Sequence, residues 1–229
     1  MATPRRASSF EHLLDSARAL VTDGRRAVLG IAGSPGAGKS TLAENLRTAL
    51  APLPPSGMEP HRWVARVPMD GFHLADVELD RLGLRDRKGA PQTFDVYGYA
   101  NLLRRLRADD EPVVYAPAFE RELEQPIAGA VPVPAAARLV ITEGNYLLLE
   151  DGPWAAVRPL LDAAWHCAPD DDVRLERLVR RHVAFGKSPD DARAWAHGTD
   201  ERNARLVQAS GHRAELLVGP DVLDALPPG

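Results

Sequence analysis

The chain has a single cysteine, Cys167, so no disulfide can close within it, and this thiol usage fits a reducing compartment. It has no excess of one charge: 28 Lys and Arg stand against 32 Asp and Glu, a net charge of −4. The net charge gives no global reason to expect nucleic acid or an anionic membrane as a partner, though it leaves room for a local cationic pocket. No apolar run approaches the ~18 residues of a membrane span. The N-terminal MATPRRASSFEH carries basic residues with no apolar stretch behind them, so it does not read as a secretory signal. A cytoplasmic location is expected. Internal repeats and long low-complexity tracts are also absent, and 229 residues suffice for one domain spanning 1–229.

What is present is an alternation of two patterns. RAVLGIAG (26–33) is a continuous apolar run, as for a strand buried on both faces, and similar runs recur at 62–69, 137–144, 162–167 and 213–218. Between them lie helical periods. The first starts behind Ser8 and Glu11, which have capping-box spacing, and runs towards Gly24. Others cover 40–51 and 98–107, begin near Asp172, and open at Ser188-Pro189. Two proline-rich stretches, 51–60 and 125–137, read as surface loops, and DALPPG at the C-terminus reads as a frayed tail. Strands alternating with helices predict an α/β fold of three layers, a mostly parallel sheet flanked by helices.

GSPGAGKST (33–41) joins the first such strand to a helix and matches G-x-x-x-x-G-K-[ST]. Glycines let successive N–H groups point inward, and the helix start adds partial positive charge. Gly33, Ser34, Gly36, Ala37, Gly38, Lys39, Ser40 and Thr41 are thus the expected cradle for the phosphates of a nucleoside triphosphate. Lys39 would reach the β- and γ-phosphates, and the Ser40 hydroxyl would ligate Mg²⁺. This fixes a nucleoside triphosphate, not its use.

Three further features bear on use. LVITEGNYLLL (139–149) ends its strand in a lone Glu143, suited to Mg²⁺, with Asn145 just beyond. Arg174, Arg177 and Arg181 fall on one helical face, beside an apolar side of Leu175, Leu178, Val179 and Val183. On an isolated helix that would be a solvated basic face. After a phosphate cradle it reads as an Arg-rich lid, about 172–190. Lastly VPMDGFHLAD (67–76) closes a strand with Asp70-Gly71-Phe72-His73, where Gly71 is expected to let the backbone turn and Phe72 to pack beneath it.

In their order along the chain, GSPGAGKST, MDGFHL, RKGAPQTFDVYGYANLLRRLR, VYAPAFERELEQPIAGA, ITEGNYLLL and RLERLVRRHVAFGKS resemble the superfamily of uridine kinase, phosphoribulokinase and bacterial pantothenate kinase. More closely the chain looks like the bacterial nucleoside/nucleotide-kinase-like group, some members of which are labelled fructose-transport-associated kinases. The resemblance spans roughly residues 10–217 and implies a P-loop NTPase fold with a helical lid. It implies ATP and Mg²⁺, with Asp70 facing the acceptor hydroxyl, and Lys39, Glu143, Arg174, Arg177 and Arg181 beside it in catalysis. Gly71 in place of serine, and EGNYLLL in place of a Glu-Gly-Ile run, depart from uridine kinase and point away from a nucleoside.

The acceptor region is expected within about 70–135. Asp70, His73, Phe94, Asp95, Tyr115, Phe119, Arg121 and Asn145 are candidate substrate contacts, with Arg87, Lys88 and Tyr97 nearby. DERNARLV (200–207) is a candidate for holding adenine. The expected reaction is transfer of a γ-phosphoryl group to a hydroxyl of a small metabolite: a sugar, nucleoside or pantothenate-like molecule. A homodimer is left open. The competing reading is a regulatory or chaperone-type NTPase that hydrolyses ATP or GTP without such an acceptor. Against it, the chain has no Asn-Lys-x-Asp or Leu-Ser-Gly-Gly-Gln motif.

Overall fold

The computed structural model describes residues 3–227. In chain order its strands are β1 (Arg5–Arg6), β2 (Ala27–Gly33), β3 (Val64–Pro68), β4 (Val113–Glu120), β5 (Gln125–Pro134), β6 (Leu139–Gly144), β7 (Ala163–Cys167) and β8 (Leu216–Val218). The helices are α1 (Phe10–Ala19), α2 (Lys39–Leu50), α3 (Asp76–Leu82), α4 (Val96–Ala108), α5 (Asp171–Ala184), α6 (Pro189–Trp195), α7 (Glu201–Ala209) and α8 (Pro220–Leu223). Six strands form a sheet in the order β1-β8-β7-β2-β6-β3, and every pairing in it is parallel. β4 and β5 pair antiparallel as a separate ribbon.

β2 explains why its sequence is apolar without alternation. All seven of its residues are buried, because both faces are covered. Leu29 and Ile31 join a cluster with Leu13 of α1 and Leu42 and Leu46 of α2. Val28 and Ala32, of the opposite parity, join Tyr99, Leu102 and Leu103 of α4. The three-layer α/β architecture is thus present. The register sets Ile31 and Pro68 beside Glu143, and Gly33 beside Cys167. The carboxyl ends of β2, β3, β6 and β7 therefore finish together, where α/β sheets present their ligand crevice.

Two expectations need correction and a third is sharpened. The N-cap of α1 is Ser9, whose Oγ accepts from the His12 N–H at 3.1 Å, not Ser8. The segment 125–137 is not a loop, since β5 occupies Gln125–Pro134. In a two-stranded ribbon each strand keeps one edge free, and there a proline removes no ladder bond. Pro117 falls where the register shifts between Ala116 and Ala118, a bulge that tolerates it. The backbone does turn at Gly71, in a 3-10 turn over Met69–Phe72, but without positive φ, so the turn itself is not what requires glycine. A Cβ there would lie 2.3 Å from the Pro117 carbonyl oxygen, so close approach of the ribbon demands glycine. Phe72 does pack against the core, its ring 5.2 Å from that of Tyr99.

Candidate functional site

The loop between β2 and α2 curls through left-handed glycines, with φ of +79° at Gly36 and +84° at Gly38. Gly38 is the N-cap of α2 and supplies no side-chain cap, and the first turn holds no acid. The leading N–H groups of a twelve-residue helix are left for an anion. Lys39 is buried and its Nζ donates to the Ser34 carbonyl at 3.0 Å. Burial lowers its pKa, while Glu143 and Asp70 oppose that shift. Ser34 and Ala37 are also buried, and Ser40 and Thr41 are half-buried.

Two carboxylates close on this cradle from neighbouring strands. Glu143, at the end of β6, is 3% exposed and its Oε1 accepts from Arg66 Nη2 at 2.6 Å. Asp70, just past β3, has no hydrogen bond or ion pair to its carboxylate among the described residues. Its carbonyl accepts from the Nδ1–H of His73 at 2.9 Å. Burial lowers the His73 pKa, so the ring is held neutral. That ring lies 3.9 Å from Phe94 and 4.9 Å from Phe119, between centroids.

A cavity of about 420 Å³ gathers these groups. Of the residues singled out in the sequence, Lys39, Ser40, Asp70, His73, Lys88, Phe94, Phe119, Arg121, Glu143, Asn145 and Arg181 line it. Others stand elsewhere. Asp95 caps α4 by accepting from the Gly98 N–H at 2.8 Å, and Tyr115 is exposed outside the cavity. The three arginines of α5 have different surroundings. Arg174 is buried between Asp171 and Glu201, at 2.9 and 2.7 Å. Arg177 pairs with Asp224 at 2.8 Å, beside Gly38. Arg181 faces the cavity with no ion-pair partner among the described residues, its pKa lowered by burial and supported by Asp200.

The cavity also takes in residues not singled out in the sequence, Glu124, His182, Phe185, Lys187 and Trp195, together with Asp200, the first residue of the stretch considered for adenine. Continuing the arginine period by one more turn leads to Phe185, which was the available signal. Asp200 accepts from His182 at 2.7 Å across 18 positions, a pairing no local pattern reveals. The stretch considered for adenine lies mostly in α7, which buries Asn203, Ala204 and Val207; its Ala204 carbonyl accepts from Ser34 Oγ at 3.4 Å.

No helix among the described residues is long and apolar enough to cross a membrane. A family model for the methylmalonyl Co-A mutase-associated GTPase MeaB matches residues 2–53, the segment holding α1, β2, the cradle and α2. Similarity over the whole chain lies elsewhere. A candidate uridine kinase of Schizosaccharomyces pombe is 34% identical, over 94% of this chain and 90% of the relative. A pantothenate kinase of Limosilactobacillus reuteri is 30% identical, over 83% of this chain and 58% of the relative. Among solved structures, a candidate fructose transport system kinase from Silicibacter sp. TM1040 superposes with a TM-score of 0.79 at 34% identity. That match covers 92% of this chain and 99% of the other.

Proposed function

Because the chain belongs to the P-loop kinases of the uridine kinase, phosphoribulokinase and bacterial pantothenate kinase superfamily, we propose that it transfers the γ-phosphoryl group of ATP to a hydroxyl of a small metabolite. One observation carries this reading: the uncommitted Asp70 carboxylate lines the same cavity as Lys39 and Ser40 of the cradle. A hydrolase needs only a water there. A carboxylate facing a cavity built by a further ribbon suits a hydroxyl that must be held and relieved of its proton.

The roles follow from position. The α2 amides and Lys39 hold the transferring phosphates, and Arg181 meets the charge that develops on them. Arg177, beside Gly38, supports the donor side, and Arg174 fastens α5 in place. Asp70 orients the acceptor hydroxyl and takes its proton, while His73, Phe119 and Arg121 enclose the rest of the acceptor. The donor set fits Mg²⁺: Ser40 offers a hydroxyl, and Glu143 keeps Oε2 clear of the Arg66 bond. Held there, the ion would neutralise charge on the phosphates. The match of residues 2–53 to a GTPase family falls on the donor half alone, which hydrolases and kinases share.

Incubation with ATP, Mg²⁺ and a panel of sugars, sugar phosphates, sugar acids, nucleosides and vitamins tests the proposal. The expected result is a phosphorylated acceptor formed in step with ADP, detected by mass. Steady ATP hydrolysis with no phosphorylated member of the panel would overturn it.

A further inference from the structure

Helix α5 starts against the cradle and reaches the cavity in its last turn, through Arg181 and His182. At its start the Arg174 carbonyl would be 2.8 Å from a Cβ on Gly36, so the helix lies directly on the cradle. One turn on, Arg177 stands beside Gly38, and Arg181 then lines the cavity. Just past the helix end, the Phe185 ring lies 5.7 Å beneath the Arg121 guanidinium, carried just beyond β4. At ~1.5 Å per residue, Phe185 stands about 12 Å beyond Arg177. Cations at that end serve whatever sits opposite the cradle.

The cationic side chains of the cavity divide accordingly. Lys39 and Arg181 belong to the donor side. Arg85 and Lys88 are committed to Asp76, at 2.8 and 2.7 Å. Glu124 lies 3.7 Å from Lys88. Arg121 and Lys187 have no ion-pair partner among the described residues, and each rests on an aromatic ring instead. The Lys187 Nζ is 4.5 Å from the Trp195 ring centre. A ring face orients a cation but leaves its donors free. Two such cations, one just past β4 and one just past α5, line the cavity; of the carboxylates that line it with them, Asp200 is taken up by His182 at 2.7 Å and Glu124 lies 3.7 Å from Lys88.

We infer that the acceptor is a small hydroxylated molecule with an anionic group of its own, a phosphomonoester or a carboxylate, received by Arg121 and Lys187 while Asp70 faces its hydroxyl. This rests on the kinase reading above. The anion completes charge-assisted hydrogen bonds that neither side chain makes among the described residues. It also anchors the molecule from the side opposite the transferring phosphate, which fixes its hydroxyl in line.

The test is calorimetric titration of the full chain, saturated with Mg²⁺ and a non-hydrolysable ATP analogue so that the cradle is filled. Inorganic phosphate is titrated in one arm and acetate in the other. Saturable binding of either, weakened about tenfold or more (~1.4 kcal/mol) in Arg121→Gln/Lys187→Gln, is expected and names the anion's chemistry. Binding of neither, or binding unchanged in the double variant, overturns the inference. Kinetics of the panel separate the two proposals. A neutral sugar phosphorylated as well as its phosphate or acid derivative would leave the kinase standing and remove the anionic acceptor. With an anionic acceptor, the double variant should raise its KM about tenfold or more and leave the KM for ATP within about twofold.

Discussion

Around the cradle, the groups that would meet phosphate are main-chain amides and one lysine, fixed by a helix start and by buried parallel strands. Across the cavity, the groups facing them are side chains of a two-stranded ribbon and of the far end of α5. The first end is set by backbone geometry, so little variation is compatible with it. The second is set by which side chains a proline-rich ribbon and a lid present, so specificity can change there without disturbing the donor. A shared donor end also explains why a GTPase family matches residues 2–53 and no more.

If the lid arginines really divide between building and reacting, they should separate by measurement. Arg174→Ala leaves Glu201 without its 2.7 Å partner inside the protein and should cost on the order of 3 kcal/mol in denaturant unfolding. Arg181→Ala removes no ion pair, so unfolding should move by less than ~0.5 kcal/mol while turnover falls. Equal unfolding curves for the two variants would break the distinction.

A second contrast concerns pH. His166 on β7, buried behind the cradle, has its pKa lowered by burial to about 4, from 6.5. Between those values the unfolded chain binds more protons than the folded one, so stability is complete above about pH 6.5 and is lost as pH falls towards 4. The full loss is on the order of 3 kcal/mol. His166→Leu should flatten that slope in urea titrations at pH 7 and pH 4.5, and an unchanged slope would remove His166 as its source.

The ribbon supplies the smallest effect. Gly71→Ala sets a Cβ against the Pro117 carbonyl and should destabilise by about 1–3 kcal/mol. Because the strain falls on the acceptor side, KM for the acceptor should rise more than KM for ATP. The reverse ranking would mean that the two ends are mechanically one.

The donor end was legible because its signals are local. A glycine pattern between an apolar run and a helix identifies the cradle, and an unalternated run such as 26–33 identifies a strand covered on both faces. Glu143 was legible from its place after such a run. The ribbon was not, because the prolines of 125–137 count against a strand unless its free edge is known. Nor could the period of the lid tell Arg174 from Arg181: the partner that buries Arg174 lies 27 positions away, on α7. Lys187 and Trp195 escaped notice for the same reason, since their meaning comes from the ribbon they face.

In the proposed reaction Asp70 serves the acceptor and not the nucleotide. Asp70→Asn keeps the size of the side chain and removes its charge, so the most direct measurement is its turnover with the phosphorylated acceptor beside its affinity for ATP. Turnover should fall by about 10²–10⁴, with ATP affinity within about twofold of the parent. Turnover equal to the parent, or a loss confined to ATP affinity, would contradict it.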